Sequence, residues 1–235
     1  MRAHTKETQA TLSPETAIEI LMEGNGRFQN NLKANRNLLQ QVNETKDGQF
    51  PFATILSCID SRVSAELVFD QGLGDIFSIR IAGNFVDQHI LGSMEYACKL
   101  AKSKLIVVLG HTGCGAVKGA CDHVRLGNLT NLINMIEPAV QAVPEPRDPL
   151  LRNSKNQKFV DAVSKKNVEM ALEQIRSQSP ILKEMEQNGE IAIIGAMYNV
   201  SDGKVNFYQD RSGQPKVHKM AHESDLGIDL KESAL

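Results

Sequence analysis

Three residues at alternate positions raise the question of what this chain does: Cys58, Asp60 and Arg62, in the run Leu56-Ser-Cys-Ile-Asp-Ser-Arg62. The run directly follows an apolar stretch, Phe52-Ala-Thr-Ile-Leu56. Alternate side chains of an extended strand point the same way. The spacing therefore predicts a thiol, an acid and a base aimed together from a strand end, and a core strand needs none of them. A second group lies in Gly110-His-Thr-Gly-Cys-Gly115, where His111 and Cys114 form a His-x-x-Cys pair that can bring nitrogen and sulfur onto one ion. With Cys58 the set becomes two thiolates and one imidazole. That is the ligand set of a catalytic zinc site with an open fourth position, whereas structural sites are closed by four protein ligands. On spacing alone the metal site stands level with buried apolar thiols, the plain reading for Cys98 and Cys121.

Two other chemistries fail on the same residues. The glycine-rich run 110–115 lacks the lysine and the serine or threonine of a phosphate-binding P-loop. A nucleobase deaminase needs His-x-Glu and Pro-Cys-x-x-Cys; residue 113 is glycine and the chain has no Cys-x-x-Cys. An Asp-x-Arg pair, for its part, is ordinarily a surface ion pair of little energetic weight.

The elements that position these residues alternate between strand and helix. Ser13-Pro14 caps a helix running through Ala17, Ile18, Leu21 and Met22 until it meets Gly24-Asn-Gly26. Residues 34–50 read as a polar loop, and Phe52 to Ser57 as a strand buried on both faces. Ser64 to Asp70 gives a short helix, Ile76 to Ala82 a second strand, and Ala82-Gly-Asn84 a turn. Ile90 to Lys102 is helical. Leu105-Ile-Val-Val-Leu109 is the clearest buried strand and leads into the His111–Cys114 run and a helix to about Arg125. Residues 128–142 and 157–187 are helical, Glu190 to Met197 is a fourth strand, and Val205 to Tyr208 pairs back as a hairpin across Ser201-Asp-Gly-Lys204. The pattern predicts an α/β fold with a mostly parallel sheet, in which ligands bind beyond the carboxyl ends of strands. Cys58 and His111 both fall there.

The chain of 235 residues is read as a single domain, 1–235, with an N-terminal helical arm over about 12–33 and a polar tail over about 214–235. A formal charge of -2 argues against a nucleic-acid-binding surface. No run of about 18 apolar residues is present, so no membrane span is expected. Met1 to Ala10 is polar, without the apolar centre of a secretory signal, and a cytoplasmic location is the expectation. Four cysteines in such a compartment do not suggest a disulfide framework.

Cys58-x-Asp60-x-Arg62 followed by His111-x-x-Cys114-Gly115 resembles the paired signature of the β-class carbonic anhydrases. Glu23-Gly-Asn-Gly-Arg-Phe28, Gly74-Asp-Ile-Phe77, Arg80-x-Ala82-Gly-Asn84, Ser93-Met-Glu-Tyr96-Ala and Gly195-Ala-Met-Tyr198 extend the likeness over about residues 12–210. The resemblance implies one Zn2+ per chain on Cys58, His111 and Cys114, with Asp60 and Arg62 as an acid–base pair beside it. It implies substrate contacts from Gln49, Phe77, Tyr96 and Gly115. It also implies a mostly parallel sheet with an antiparallel last strand, a homodimer or pair of dimers with each cleft at a subunit interface, and carbon dioxide and bicarbonate as the small-molecule substrates. The implied reaction is attack of hydroxide, generated at zinc, on carbon dioxide. Two other readings stay beside it: hydrolysis of a related molecule such as carbon disulfide, and a silent zinc-binding regulatory protein.

Some family members carry an inhibitory bicarbonate site, with a tryptophan three residues before the first cysteine. Here that residue is Ile55 and the chain has no tryptophan, so an open enzyme is expected. Arg80 reads either as an anion contact or as an ordinary strand ion pair. His4, His89, His123, His218 and His222 read as solvated, and Lys155 to Lys166 as a wet helix face.

Overall fold

The computed structural model describes residues 1–208. The polar tail expected over about 214–235, with His218 and His222, lies outside the described residues. The elements in chain order are α1 (Lys6–Ala10), α2 (Pro14–Gln29), α3 (Leu38–Thr45), β1 (Ala53–Ser57), α4 (Ala65–Val68), β2 (Ile76–Arg80), α5 (Gln88–Glu95), β3 (Leu105–His111), α6 (Gly115–Cys121), α7 (Leu129–Ala142), α8 (Gln157–Gln178), α9 (Pro180–Gln187), β4 (Ala192–Tyr198) and β5 (Val205–Phe207).

The five strands lie in the order β2-β1-β3-β4-β5. The first four are parallel and β5 runs antiparallel to β4, as expected. Every residue of β1 and β3 is buried, as strands covered on both faces must be. Ala53, Ile55, Leu105, Val107 and Leu109 pack on one face beneath α2 and α4; Leu56, Ile106, Val108 and Ile193 pack on the other against α5, α8 and α9. The chain steps from β1 outward to β2, then crosses to β3 on the far side of β1. The strand order thus reverses between β1 and β3, and in open α/β sheets the crevice at such a point takes the ligand.

Several local expectations are corrected. The helix from Pro14 passes through Gly24 and Gly26 to Gln29. Gly24 is a packing residue there, since a Cβ would sit 1.8 Å from the Phe69 carbonyl oxygen. Residues 34–50 hold α3 in place of a continuous loop. Its amino end is capped by Asn37, and buried Gln41 accepts the Leu73 N–H at 3.2 Å, so tethers rather than an apolar stripe fix it. The N-terminal segment forms α1, closed by a Thr5–Thr8 capping box. The helix expected over 157–187 is two helices. Pro180 has no N–H to donate, and Ser179 turns extended to end α8 and cap α9 through the Leu182 N–H. Among the described residues no helix is long and apolar enough to cross a membrane.

A candidate metal centre at the ends of two adjacent strands

Strands β1 and β3 are hydrogen-bonded neighbours, with Ser57 in register with Leu109. Cys58 follows the last residue of β1, His111 is the last residue of β3, and Cys114 immediately precedes α6. Parallel pairing therefore brings two sequence-distant segments to one point. All three side chains are buried, and their ligand atoms lie within 4.8 Å of one another. The two sulfurs are 3.9 Å apart. The Thr112 carbonyl oxygen lies 3.0 Å from His111 Nδ1; a carbonyl only accepts, so Nδ1 carries a proton, and in the neutral ring Nε2 then holds the lone pair. Nε2 is buried with no hydrogen-bond partner. A buried acceptor left unpaired is costly. Facing two thiols, it has the arrangement that a soft divalent cation completes, and the backbone bond at Nδ1 is the usual support for a metal-bound imidazole.

The thiols behave as one unit. A hydrogen bond from Cys114 holds Cys58 down to about 4 against the opposing effect of burial, with the Gly83 N–H adding to the lowering. Cys114 is pushed up by that same bond and by burial. Two thiolates this close repel, and a cation between them removes the repulsion. Cys98 and Cys121 are buried elsewhere, pushed up to about 12 and about 11 by burial first, and behave as the expected core thiols.

Asp60 and Arg62 do meet, though not as a strand would arrange it. β1 stops at Ser57, and residues 60–63 form a turn closed by the Val63 N–H on the Asp60 carbonyl at 2.9 Å. Asp60 Oδ1 accepts the Arg62 backbone N–H at 3.0 Å and Nε at 2.9 Å, and Oδ2 accepts Nη2 at 2.7 Å. These bonds hold the Asp60 carboxyl well below the usual carboxylate range. Arg80 makes no ion pair among the described residues. Its Nε donates to the Cys58 carbonyl at 3.1 Å and its Nη2 to the Asp60 carbonyl at 2.8 Å, clamping the turn from β2.

Of the remaining expected site residues, Gly115 lies at the cluster, whereas Gln49, Phe77 and Tyr96 are not brought to it within one chain. Gln49 is exposed and lies before β1, at the opposite end of that strand from Cys58. Phe77 and Tyr96 stack edge to face at 6.2 Å and line an open depression with Ser78, Gln88, His89 and Ser93, a lining that includes none of Cys58, His111 and Cys114. Gly115 is exposed at the first turn of α6, beside Cys114. His89 and His123 are at the surface, and His4 packs edge-on against Phe52.

Sequence reasoning missed the residues that brace the ligand loops. Asp161 Oδ1 accepts the Gly113 N–H at 2.9 Å, and Thr112 is bonded to Tyr198 and Val200. Asp161 lies inside the stretch read as a wet face. Lys155, Lys158 and Lys165 are indeed exposed, but Phe159, Val160, Val163 and Ser164 of the same helix are core. These braces bond to backbone groups, which leave no residue pattern to read.

The sequence model of a family described as "Carbonic anhydrase" matches residues 53–205, the span from β1 to β5. "Carbonic anhydrase 2" of Mycobacterium tuberculosis is 36% identical over 204 residues, covering 82% of this chain and 91% of that protein. The "Carbonic anhydrase" of Mycolicibacterium smegmatis is 34% identical over 200 residues, covering 82% and 92%. Among solved structures, a Coccomyxa β-carbonic anhydrase in complex with acetazolamide superposes with a TM-score of 0.61 at 25% identity, covering 70% of this chain and 75% of that one. A tetrameric β-carbonic anhydrase of Sordaria macrospora superposes with a TM-score of 0.60 at 22% identity, covering 70% and 84%.

Proposed function

Because the chain belongs to the β-class carbonic anhydrase family, we propose that Cys58, His111 and Cys114 hold one zinc ion and that the Asp60–Arg62 pair serves the family reaction, the reversible hydration of carbon dioxide to bicarbonate and a proton. The observation that carries this reading is the convergence of three buried donors within 4.8 Å, one of them an unpartnered imidazole nitrogen. A zinc ion there supplies the Lewis acidity that makes water acidic near neutral pH.

The chain's own groups do the rest. A carboxylate offers about four lone-pair sites. Oδ1 of Asp60 uses both of its own on Arg62, and Oδ2 uses one, which leaves a single acceptor position on Oδ2. Held ionised, Asp60 only accepts. An O–H beside it must therefore donate to Oδ2, and that fixes the direction of the attacking oxygen's lone pair. Because Arg62 engages the carboxylate, Asp60 is kept from closing the site, which supports the open form. Two thiolates offset the charge of a zinc ion where neutral histidines do not, so activity rises on the alkaline side of neutrality.

The substrate contacts require a second copy. The five residues of β1 span about 13 Å, which separates Gln49 from Cys58 within one chain. We assign Gln49, Phe77 and Tyr96 to the cleft of a neighbouring subunit, and Gly115 to the cleft of its own. Strand β2 is one of the two outer strands of the sheet among the described residues, and Tyr96 beside it is 54% exposed, which suits a homodimer built across this edge, alone or paired into a tetramer. We propose that the chain, residues 1–235, forms one such domain. Four free cysteines suit a reducing compartment, and the proposed location is cytoplasmic.

The test is carbon dioxide hydration by metal-quantified protein, with Cys58→Ser alongside. About one zinc per chain, hydration in the parent and loss of both in the variant support the reading. Zinc-replete protein that is silent from about pH 7 to about pH 9 overturns it. Hydrolysis of carbon disulfide is disfavoured by relatives that are named carbonic anhydrases. A silent zinc protein would not need the two-pronged Asp60–Arg62 pair.

A further inference from the structure

The Cys58 sulfur accepts the Gly83 N–H at 3.4 Å. Gly83 sits at φ +78, a backbone conformation that favours glycine, and a Cβ there would lie 2.4 Å from Ile136 Cδ1 and force that side chain to move. That N–H belongs to the Ala82–Gly83 peptide, inside the turn that the Asn84 N–H closes on the Ile81 carbonyl at 3.0 Å. Its anchor is Asn167, buried on α8, whose Nδ2 donates to the Gly83 carbonyl at 2.7 Å. The same helix sends Asp161 to the Gly113 N–H at 2.9 Å, in the loop that bears His111 and Cys114. One helix thus holds both the turn that contacts the Cys58 sulfur and the loop that bears His111 and Cys114.

We propose that Asn167 is a positioning residue for the metal centre: by holding the Gly83 carbonyl it fixes the Ile81–Asn84 turn, from which the Gly83 N–H reaches the Cys58 sulfur. This rests on the reading of Cys58 as a metal ligand. An N–H bond draws negative charge from a thiolate and fixes the sulfur in place. Its loss leaves a more mobile ligand and a less electrophilic ion. Partners that orient a ligand without touching the metal commonly change affinity by about 10–100-fold.

The experiment measures zinc affinity by chelator competition on the full chain, and the thiolate-to-metal charge-transfer band of the cobalt-substituted protein. It compares the parent with Asn167→Leu, Asn167→Ala, Cys58→Ser and Ser164→Ala. Ser164 is a buried polar neighbour on α8 that, among the described residues, bonds through its hydroxyl only to its own helix, at the Val160 carbonyl, and reports general damage to that packing. The expected result is zinc binding weakened ~10–100-fold in both Asn167 variants, with a shifted band. Ser164→Ala should match the parent in both readouts. Asn167→Ala leaves a space that water can enter, so it serves where Asn167→Leu does not fold. Affinity within about threefold of the parent and an unshifted band in the Asn167 variants would overturn the proposal. So would a Ser164→Ala effect as large as theirs. If Cys58→Ser also leaves zinc affinity unchanged, the ligand assignment itself is wrong and the positioning role falls with it.

Discussion

Arg62 closes a two-pronged ion pair on Asp60, with Nε 2.9 Å from Oδ1 and Nη2 2.7 Å from Oδ2. Arg62 itself is largely exposed, so the pair adds little to stability; its value is geometric. Replacing Arg62 with Lys gives a point charge for a fork and frees Asp60 to rotate. Asp60 stays ionised, because without Arg62 its pKa returns only towards about 3.9. The shape of the activity profile above about pH 6 should therefore persist while its height falls about 10²-fold at every pH. Rate–pH profiles of the two proteins at equal zinc content check this. A changed shape, or an unchanged height, counts against the assigned role.

Arg80 clamps the other side of the same turn through the carbonyls of Cys58 and Asp60. Arg80→Met keeps the apolar stem and removes both charge-assisted bonds. The expected loss is about 1–2 kcal/mol, read as a lower urea midpoint with unchanged slope, together with weaker zinc retention. Arg80→Lys should recover only part of it, since one ammonium does not reach both carbonyls as the fork does.

Stability at acid pH should depend on Asp70. Burial pushes its carboxyl up, but Arg27 at 2.5 Å, the Ala34 N–H at 2.9 Å and Arg36 at 2.6 Å together hold it below its ordinary value. A lowered folded pKa stabilises above the unfolded value and is lost as pH falls through the folded one. Asp70→Asn keeps a residue tolerant of the local φ of +45 and removes the charge. The variant should be about 1–3 kcal/mol less stable at neutral pH. The gap should narrow below about pH 4. Denaturant titrations across that range decide; a gap constant with pH would show that the charge is not responsible.

Gly24 tests the packing of α2. A methyl group there must displace the Phe69 backbone, 1.8 Å away. Although alanine is the better helix former, Gly24→Ala should destabilise by about 3 kcal/mol. Thermal unfolding reads the loss; a rise in midpoint would show that α2 does not lie against Phe69.

What was legible from the sequence follows the same physics. Cys58, His111 and Cys114 are distinctive residue types, and β1 and β3 are plain apolar runs, so the cluster of candidate donors and the fold class were readable. Asn167, Asp161 and Arg80 act on backbone carbonyls and N–H groups, which any sequence supplies, so nothing in their types announces the role. Gly24 was read as a stop because glycine usually is one; only the approach of Phe69 shows why a helix keeps it. The even spacing of Cys58, Asp60 and Arg62 suggested a strand, yet Asp60 and Arg62 meet because the chain turns after Ser57 and Arg80 holds it there.

The most direct test compares carbon dioxide hydration by the parent and by Asp60→Asn at equal, measured zinc content. Asparagine keeps the size of Asp60 but loses its charge and its fork with Arg62. The expected result is rapid hydration in the parent, rising above neutrality, and a loss of about 10² or more in the variant with zinc retained. A zinc-replete parent without hydration, or a variant as fast as the parent, would contradict the account.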